Sequence, residues 1–277
     1  NNIIIQKVHK CEYNNSFAVA GANLVYIGTE KDCIPKELEA AINGKTAALA
    51  FCIEGDDKGL SLRKVVEIAR AHDVPLIVDA ASELPPRSNL KRYIAEGADL
   101  VAFSGGKGIL GPSDTGILCG RRDLIKLATV QMLPFTGIGR GAKVDRTQII
   151  GMLEALRIFL EEDEETRFEG WMTKAQWIAK ELDKLPMVSG KEVDVDKRKR
   201  GVRVLITLNE RVPSTADVVF NLRKGNPSIW VNHPASFHAH WEKPNPNKIS
   251  INTRMLKDGE EKIIVSALKK MLGRKVG

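Results

Sequence analysis

The sequence predicts an α/β protein: a mainly parallel sheet with helices on both faces, three layers in all, followed by a smaller α+β C-terminal domain. Two observations predict it. Through the first half of the chain, short apolar runs alternate with amphipathic stretches, the pattern of strands joined by helical crossovers. Beyond about residue 167 that regular order gives way to a few strands and helices. Size sets the bounds: 277 residues, 43% hydrophobic and 28% charged, suit one large domain or two ordinary ones. Wholesale disorder, collagen-like repeats and a coiled-coil rod are excluded.

In chain order, 3–8 reads as a strand, 16–22 as a short helix and 23–27 as a strand. Residues 35–43 have helical spacing, with Pro35 at the start and Gly44 past the end. The run 46–53 reads as a buried strand. An amphipathic helix follows over 60–72, with Leu62, Val65, Val66 and Ala69 on one face. Then come a strand at 75–80, a helix at 90–96, and strands at 100–103 and 116–119. A single long helix is expected over 145–165, its acidic end at 161–165 a solvated terminus. Beyond it lie helices at 174–185, 215–223 and 258–272, with strands at 202–208, 228–231 and 248–252. The expected division is a large domain 1–145, a linking helix 146–166 and a small domain 167–277. The chain opens almost inside a strand pattern, so further residues are expected before Asn1.

Forty-two Lys and Arg against 35 Asp and Glu give a net charge of +7. This suits an anionic ligand without demanding nucleic acid, and an aromatic content of 5% argues against a base-stacking surface. The basic run 197–200 reads as a solvated hairpin. Cys11, Cys33, Cys52 and Cys119 form no C-x-x-C pair, so a reducing cytoplasm is the expected location. Apolar runs such as 47–53 fall far short of the ~20 residues that span a bilayer, and the N-terminus lacks a signal-peptide pattern. His233, His238 and His240 cluster near Trp230 and Trp241, but no carboxylate or cysteine completes a metal site. They read as a loop near the site mouth or plain surface, and no metal is expected.

The stretch 74–120 carries the chemistry. Asp79 ends an apolar strand, a place that requires a buried carboxylate to be paired; a cationic ring nitrogen suits it, and so does a turn or helix cap. Lys107 follows the next apolar strand between Gly105, Gly106 and Gly108, glycines that leave room for a bulky group. A desolvated lysine forms a Schiff base, although a lone lysine is ordinarily an exposed loop residue. Together, with Ser104 three residues before Lys107, they make the set that pyridoxal phosphate needs. Asp79 keeps the pyridinium nitrogen protonated, Lys107 carries the aldehyde, and Ser104 with the glycine-rich turn binds phosphate. No P-loop or dinucleotide fingerprint is present.

These motifs are Val-Asp-Ala-Ala-Ser-Glu-Leu-Pro-Pro (78–86), Gly-Ala-Asp-Leu-Val-Ala-Phe-Ser-Gly-Gly-Lys (97–107), Gly-Pro-Ser-Asp-Thr-Gly-Ile-Leu-Cys-Gly-Arg-Arg-Asp-Leu-Ile (111–125) and Gly-Arg-Gly-Ala-Lys-Val (139–144). With them the chain resembles fold-type I pyridoxal-phosphate enzymes. More narrowly, it resembles the family of selenocysteine synthase (L-seryl-tRNA(Sec) selenium transferase) and D-glucosaminate-6-phosphate ammonia-lyase. The likeness runs from about residue 3 to 160 and weakens beyond. It implies Lys107 as Schiff-base lysine, Asp79 as pyridinium partner, Ser104 as phosphate ligand and Ser82 as a contact to the ring hydroxyl. His9 takes a place similar to a ring-stacking histidine, with a surface or capping role as the alternative. Arg140 and Lys143 are candidates for an anionic substrate group or a phosphate, within one subunit or across a subunit interface, and otherwise exposed loop cations. Arg254 falls where related enzymes keep a carboxylate-binding arginine. Relatives also carry an N-terminal segment with a glycine-rich phosphate loop, outside this sequence.

The expected activity is that of a pyridoxal-phosphate-dependent lyase, eliminating water and ammonia from an amino acid or amino-sugar acid through Lys107. The alternatives are β-replacement as in selenocysteine synthase, transamination, or a catalytically silent homologue that serves as a binding or assembly subunit. The expected partners are a small anionic amino-acid-like substrate and further copies of the chain; neither tRNA nor membrane is expected.

Overall fold

The structure is a computed structural model and describes residues 1–53, 58–196, 201–209, 214–232 and 247–273. The basic run 197–200 and His233, His238 and His240 lie outside the described residues. The chain divides into two compact units, Asn1–Glu162 and Asp163–Gly277.

The first unit is built on six strands: β1 (Asn2–Gln6), β2 (Asn23–Ile27), β3 (Thr46–Cys52), β4 (Leu76–Asp79), β5 (Leu100–Ser104) and β6 (Gly116–Gly120). Their order in the sheet is β2-β1-β3-β4-β5-β6. The first five are mutually parallel, and β6 runs antiparallel to β5. Joining or flanking them are α1 (Asn15–Val19), α2 (Pro35–Ala41), α3 (Leu62–Ala71), α4 (Asn89–Glu96), α5 (Arg122–Thr129) and α6 (Arg146–Glu161).

The apolar runs explain the sheet. Leu49, Phe51, Leu76, Val78, Val101 and Phe103 are each at most 3% exposed, on the face covered by Val65, Val66 and Ala69 of α3 and Tyr93 of α4. Ile3, Ile5, Ala48 and Ala50 alternate onto the other face, where Phe17 of α1 packs. Strands apolar on both faces are the mark of a covered parallel sheet. In such sheets the reversal of strand order opens a crevice at the carboxyl ends. Here the order reverses between β1 and β3.

The second unit holds α7 (Glu164–Leu182), β7 (Val188–Val195), β8 (Val202–Leu208), α8 (Thr215–Lys224), β9 (Lys248–Asn252) and α9 (Glu260–Leu272). Its sheet is antiparallel, ordered β7-β8-β9. Val202, Val204, Ile206 and Leu208 of β8 pack against Ile178 and Leu182 of α7 and Leu268 of α9.

Three expected elements differ. The helix expected through 166 stops at Glu161, with Glu162 extended at ψ 141°. Asp163 then accepts from the backbone N–H of Glu165 and Thr166 and starts α7, so the acidic run, largely exposed as expected, is a junction between two helices rather than the end of one. The strand expected at 228–231 is replaced by a return to α8. Ser228 Oγ donates to the Arg223 carbonyl at 2.7 Å and Ile229 N–H to the Leu222 carbonyl at 2.9 Å. One bridge, Asn232 to Ser250, reaches the sheet. Finally, β1 ends at Gln6, and Lys7–His9 forms a 3-10 turn in place of the strand's last residues.

Candidate active site

The carboxyl ends of β1, β3, β4 and β5 gather the candidate residues. Asp79 is the last residue of β4, in register with Cys52 of β3 and Ala102 of β5. Its Oδ1 accepts from the Ala81 N–H at 3.0 Å, so the turn role and a place at the strand end coexist in one side chain. The turn leads to Ser82, whose Oγ accepts from Lys107 Nζ at 2.8 Å. Two segments separated by 25 residues in sequence thus meet at one amine. Lys107 and Ser82 are half-buried, so the lysine is not an exposed loop residue.

The loop that carries Lys107 is tied to itself. Gly105 N–H donates to the Thr115 carbonyl at 2.9 Å, Gly111 N–H to the Gly105 carbonyl at 2.8 Å, and Leu110 N–H to the Lys107 carbonyl at 3.2 Å. The expectation that its glycines make room for a bulky group is corrected here. A Cβ on Gly106 would lie 2.5 Å from Ser113 Cα, one on Gly105 would strike Thr115 and Met152, and one on Gly108 would strike the Leu84 carbonyl. The glycines are required by the chain's own close packing, which fixes where Lys107 stands. Ser104 ends β5, half-buried and in register with Gly116.

His9 follows β1 and is 1% exposed. Its Nδ1 accepts from the Cys52 N–H at 3.4 Å, and its ring meets Phe51 edge-on with centroids 4.5 Å apart. The surface reading of His9 therefore fails, and its ring is committed to the core beneath the strand ends. Sequence reasoning passed over Tyr13, whose ring lies under Lys107 Nζ at 5.8 Å from the centroid. Cys11 and Asn14 flank it. Burial pushes the Cys11 thiol up from its ordinary range, and the nearby Asp79 charge adds to this against the backbone N–H groups of Tyr13 and Asn14. The available signal was an aromatic in the loop after the first strand of a parallel sheet, where ligand groups collect.

Arg140 and Lys143 are exposed, on and just after a 3-10 turn at Ile138–Ala142. Arg254 follows β9 in the second unit, half-buried, with its N–H donating to Asn252 Oδ1 at 2.9 Å. Among the described residues no group of three or more His, Cys, Asp or Glu is arranged to hold a metal ion.

An amine seated on a hydroxyl, a carboxylate at the adjoining strand end and an aromatic ring beside the amine fit pyridoxal phosphate. The fold agrees: it is that of fold-type I pyridoxal-phosphate enzymes. The structure of D-glucosaminate-6-phosphate ammonia-lyase superposes with a TM-score of 0.78 at 26% identity, over 98% of this chain and 71% of that one. Ureidoglycine-glyoxylate aminotransferase from Bacillus subtilis shares the fold at a TM-score of 0.61 and 15% identity, over 100% of this chain and 75% of that one.

The L-seryl-tRNA selenium transferase family model matches residues 14–186, more than half the chain, and the chain belongs to that family. Among curated relatives, a Streptomyces 5'-C-glycyluridine monooxygenase-decarboxylase is 32% identical over 276 residues, 95% of this chain and 65% of the relative. The Salmonella typhimurium D-glucosaminate-6-phosphate ammonia lyase is 27% identical over 98% of this chain and 70% of the relative. The Desulfovibrio desulfuricans L-seryl-tRNA(Sec) selenium transferase is 29% identical over 57% of this chain. The chain spans about two thirds of the length of the first two and 37% of the third.

Proposed function

We propose that this chain is a pyridoxal-phosphate-dependent lyase, acting on an amino acid or amino-sugar acid by loss of water and ammonia. The observation that carries the reading is the Lys107–Ser82 contact of 2.8 Å beside the strand end that bears Asp79. When bound, pyridoxal phosphate supplies an electron sink for charge that develops at a substrate α carbon. The chain's residues then divide the work. Asp79 holds a proton on the ring nitrogen. Lys107 Nζ anchors the cofactor and afterwards takes the α proton, with Ser82 Oγ fixing the amine where it must act. Ser104 Oγ binds phosphate. Arg140 and Lys143 supply cations for a substrate carboxylate or phosphate, in keeping with the net charge of +7.

The similarity to the ammonia lyase over nearly the whole chain supports elimination. The similarity to the glycyluridine enzyme favours a second reading, oxidative decarboxylation of an α-amino acid. Both begin with an amino acid brought to Lys107. On either reading the protein works as a homo-oligomer and in the cytoplasm, where its four cysteines stay free thiols.

The experiment is to add pyridoxal phosphate to the purified chain and follow visible absorbance in the wild type and in Lys107→Ala. A band that is lost in the variant is expected. Absence of the band from the wild type sinks the reading. Amino acids and D-glucosaminate 6-phosphate are then screened for keto-acid and ammonia release, with oxygen uptake and carbon dioxide release marking the second reading.

A further inference from the structure

We propose that Tyr13, rather than His9, stacks on the cofactor ring, and that Asn14 is the residue that positions it. The inference rests on the reading of Lys107 as the cofactor lysine.

His9 is already committed. It is 1% exposed, stands edge-on to Phe51, and accepts the Cys52 N–H on Nδ1. At 1% exposure its ring has no face open to a ligand. Tyr13 is the opposite case, 52% exposed with its ring 5.8 Å from Lys107 Nζ. Offset aromatic pairs sit with centroids about 4.5–7 Å apart, and a planar ring tethered to an amine 5.8 Å from the Tyr13 centroid can swing into that range.

Exposed tyrosines are common, and the support beneath this one gives the inference its weight. Tyr13 is the middle residue of a 3-10 turn, Glu12–Asn14. Asn14 is 6% exposed, and its Oδ1 accepts from the Cys11 N–H at 2.9 Å and from the Tyr26 hydroxyl at 3.4 Å. The Cys11 carbonyl accepts in return from the Asn14 N–H at 3.2 Å, closing a reciprocal pair around Tyr13. Tyr26 belongs to β2, so the pair is tied to the sheet. A wet aromatic on a buried, hydrogen-bonded mount is pre-organised for a ligand at little entropic cost on binding.

The test compares wild type, Tyr13→Phe, Tyr13→Ala, His9→Gln and Asn14→Ala in pyridoxal-phosphate titrations. Visible absorbance gives the dissociation constant, and visible circular dichroism reports how the bound ring is held. Tyr13→Phe should bind within about twofold of wild type, and Tyr13→Ala should lose about tenfold with a weaker dichroic band. Asn14→Ala should weaken the dichroic band in the same direction. His9→Gln keeps an acceptor for Cys52 and should lower the melting temperature while leaving affinity unchanged. Equal affinity in Tyr13→Ala and wild type overturns the proposal. So does a loss in Tyr13→Phe as large as in Tyr13→Ala, which would assign the effect to the hydroxyl. A wild type that binds no cofactor fails the functional reading instead, and the Lys107→Ala control separates the two outcomes.

Discussion

Cys33 links a buried side chain to the pH range over which the first unit holds together. It is 3% exposed, and burial foremost pushes its thiol up from 9.0 to about 11, with Glu37 and Asp32 adding to the effect. The folded state therefore favours the neutral thiol. The stability this gives is full below the unfolded value near 9 and is lost as pH rises through about 11. The loss is about 3 kcal/mol at most. Urea unfolding of wild type and Cys33→Ala between those limits should show a steeper fall for wild type, since lysines and tyrosines titrate alike in both. Parallel profiles would show that the thiol titrates normally in the fold. At this scale Asp79 and Lys107 were readable in the sequence, because each follows an apolar strand and a parallel sheet collects such ends on one edge. Tyr13 was not. Its place depends on β1 giving way to 3-10 turns, which the apolar run of Ile3 to Ile5 cannot announce.

The loop between β5 and β6 shows what an element contributes. Gly108 has no left-handed backbone, yet a side chain there would strike the Leu84 carbonyl, a main-chain atom on the turn that follows Asp79. Gly108→Ala should cost about 1–3 kcal/mol through overpacking and weaken the cofactor band as Lys107 moves off Ser82. Gly141 has no atom within 4 Å of its Cβ position, so Gly141→Ala should be nearly neutral. Thermal unfolding of the two variants checks the contrast, and equal melting temperatures would refute the packing account. The strand–helix alternation made most of the first unit readable. The misreadings have local causes. Helix α5 follows β6 after the single residue Arg121, too short a gap for a turn signal. Strand β7 carries Gly190, Lys191 and Asp194 at the sheet's edge, where one side meets water and the apolar pattern thins. Asp163 hid as one acid among five, although only it caps a helix.

Over the first unit as a whole, exposed apolar side chains are concentrated rather than scattered. Leu127 is 63% exposed, Phe135 46%, Ile138 67%, Ile150 67%, Leu153 61% and Ile158 51%, all on α5, on α6 or in the segment between them. Scattered surface hydrophobics need no explanation, but apolar side chains left exposed along one run of the chain, 127–158, offer a contact surface. A copy of the same chain is the occupant that the proposed homo-oligomer supplies. The segment also carries Arg140 and Lys143, so closure of this surface would bring two cations to the interface, where a neighbouring site can use them. Burying a Leu or Ile side chain gives about 1.5–3 kcal/mol, so a few such residues from each copy sustain a dimer against the cost of association. The double variant Ile150→Asp, Leu153→Asp should have the mass of a single chain in sedimentation at micromolar concentration, with a near-ultraviolet spectrum unchanged from wild type. Wild type should sediment as a dimer or larger. If cations do act across the interface, Arg140→Ala and the double variant should each weaken cofactor or substrate binding, and combining them should add little, because the second change removes a contact already lost. A monomeric wild type would remove the interface, and an additive effect would return Arg140 to its own subunit.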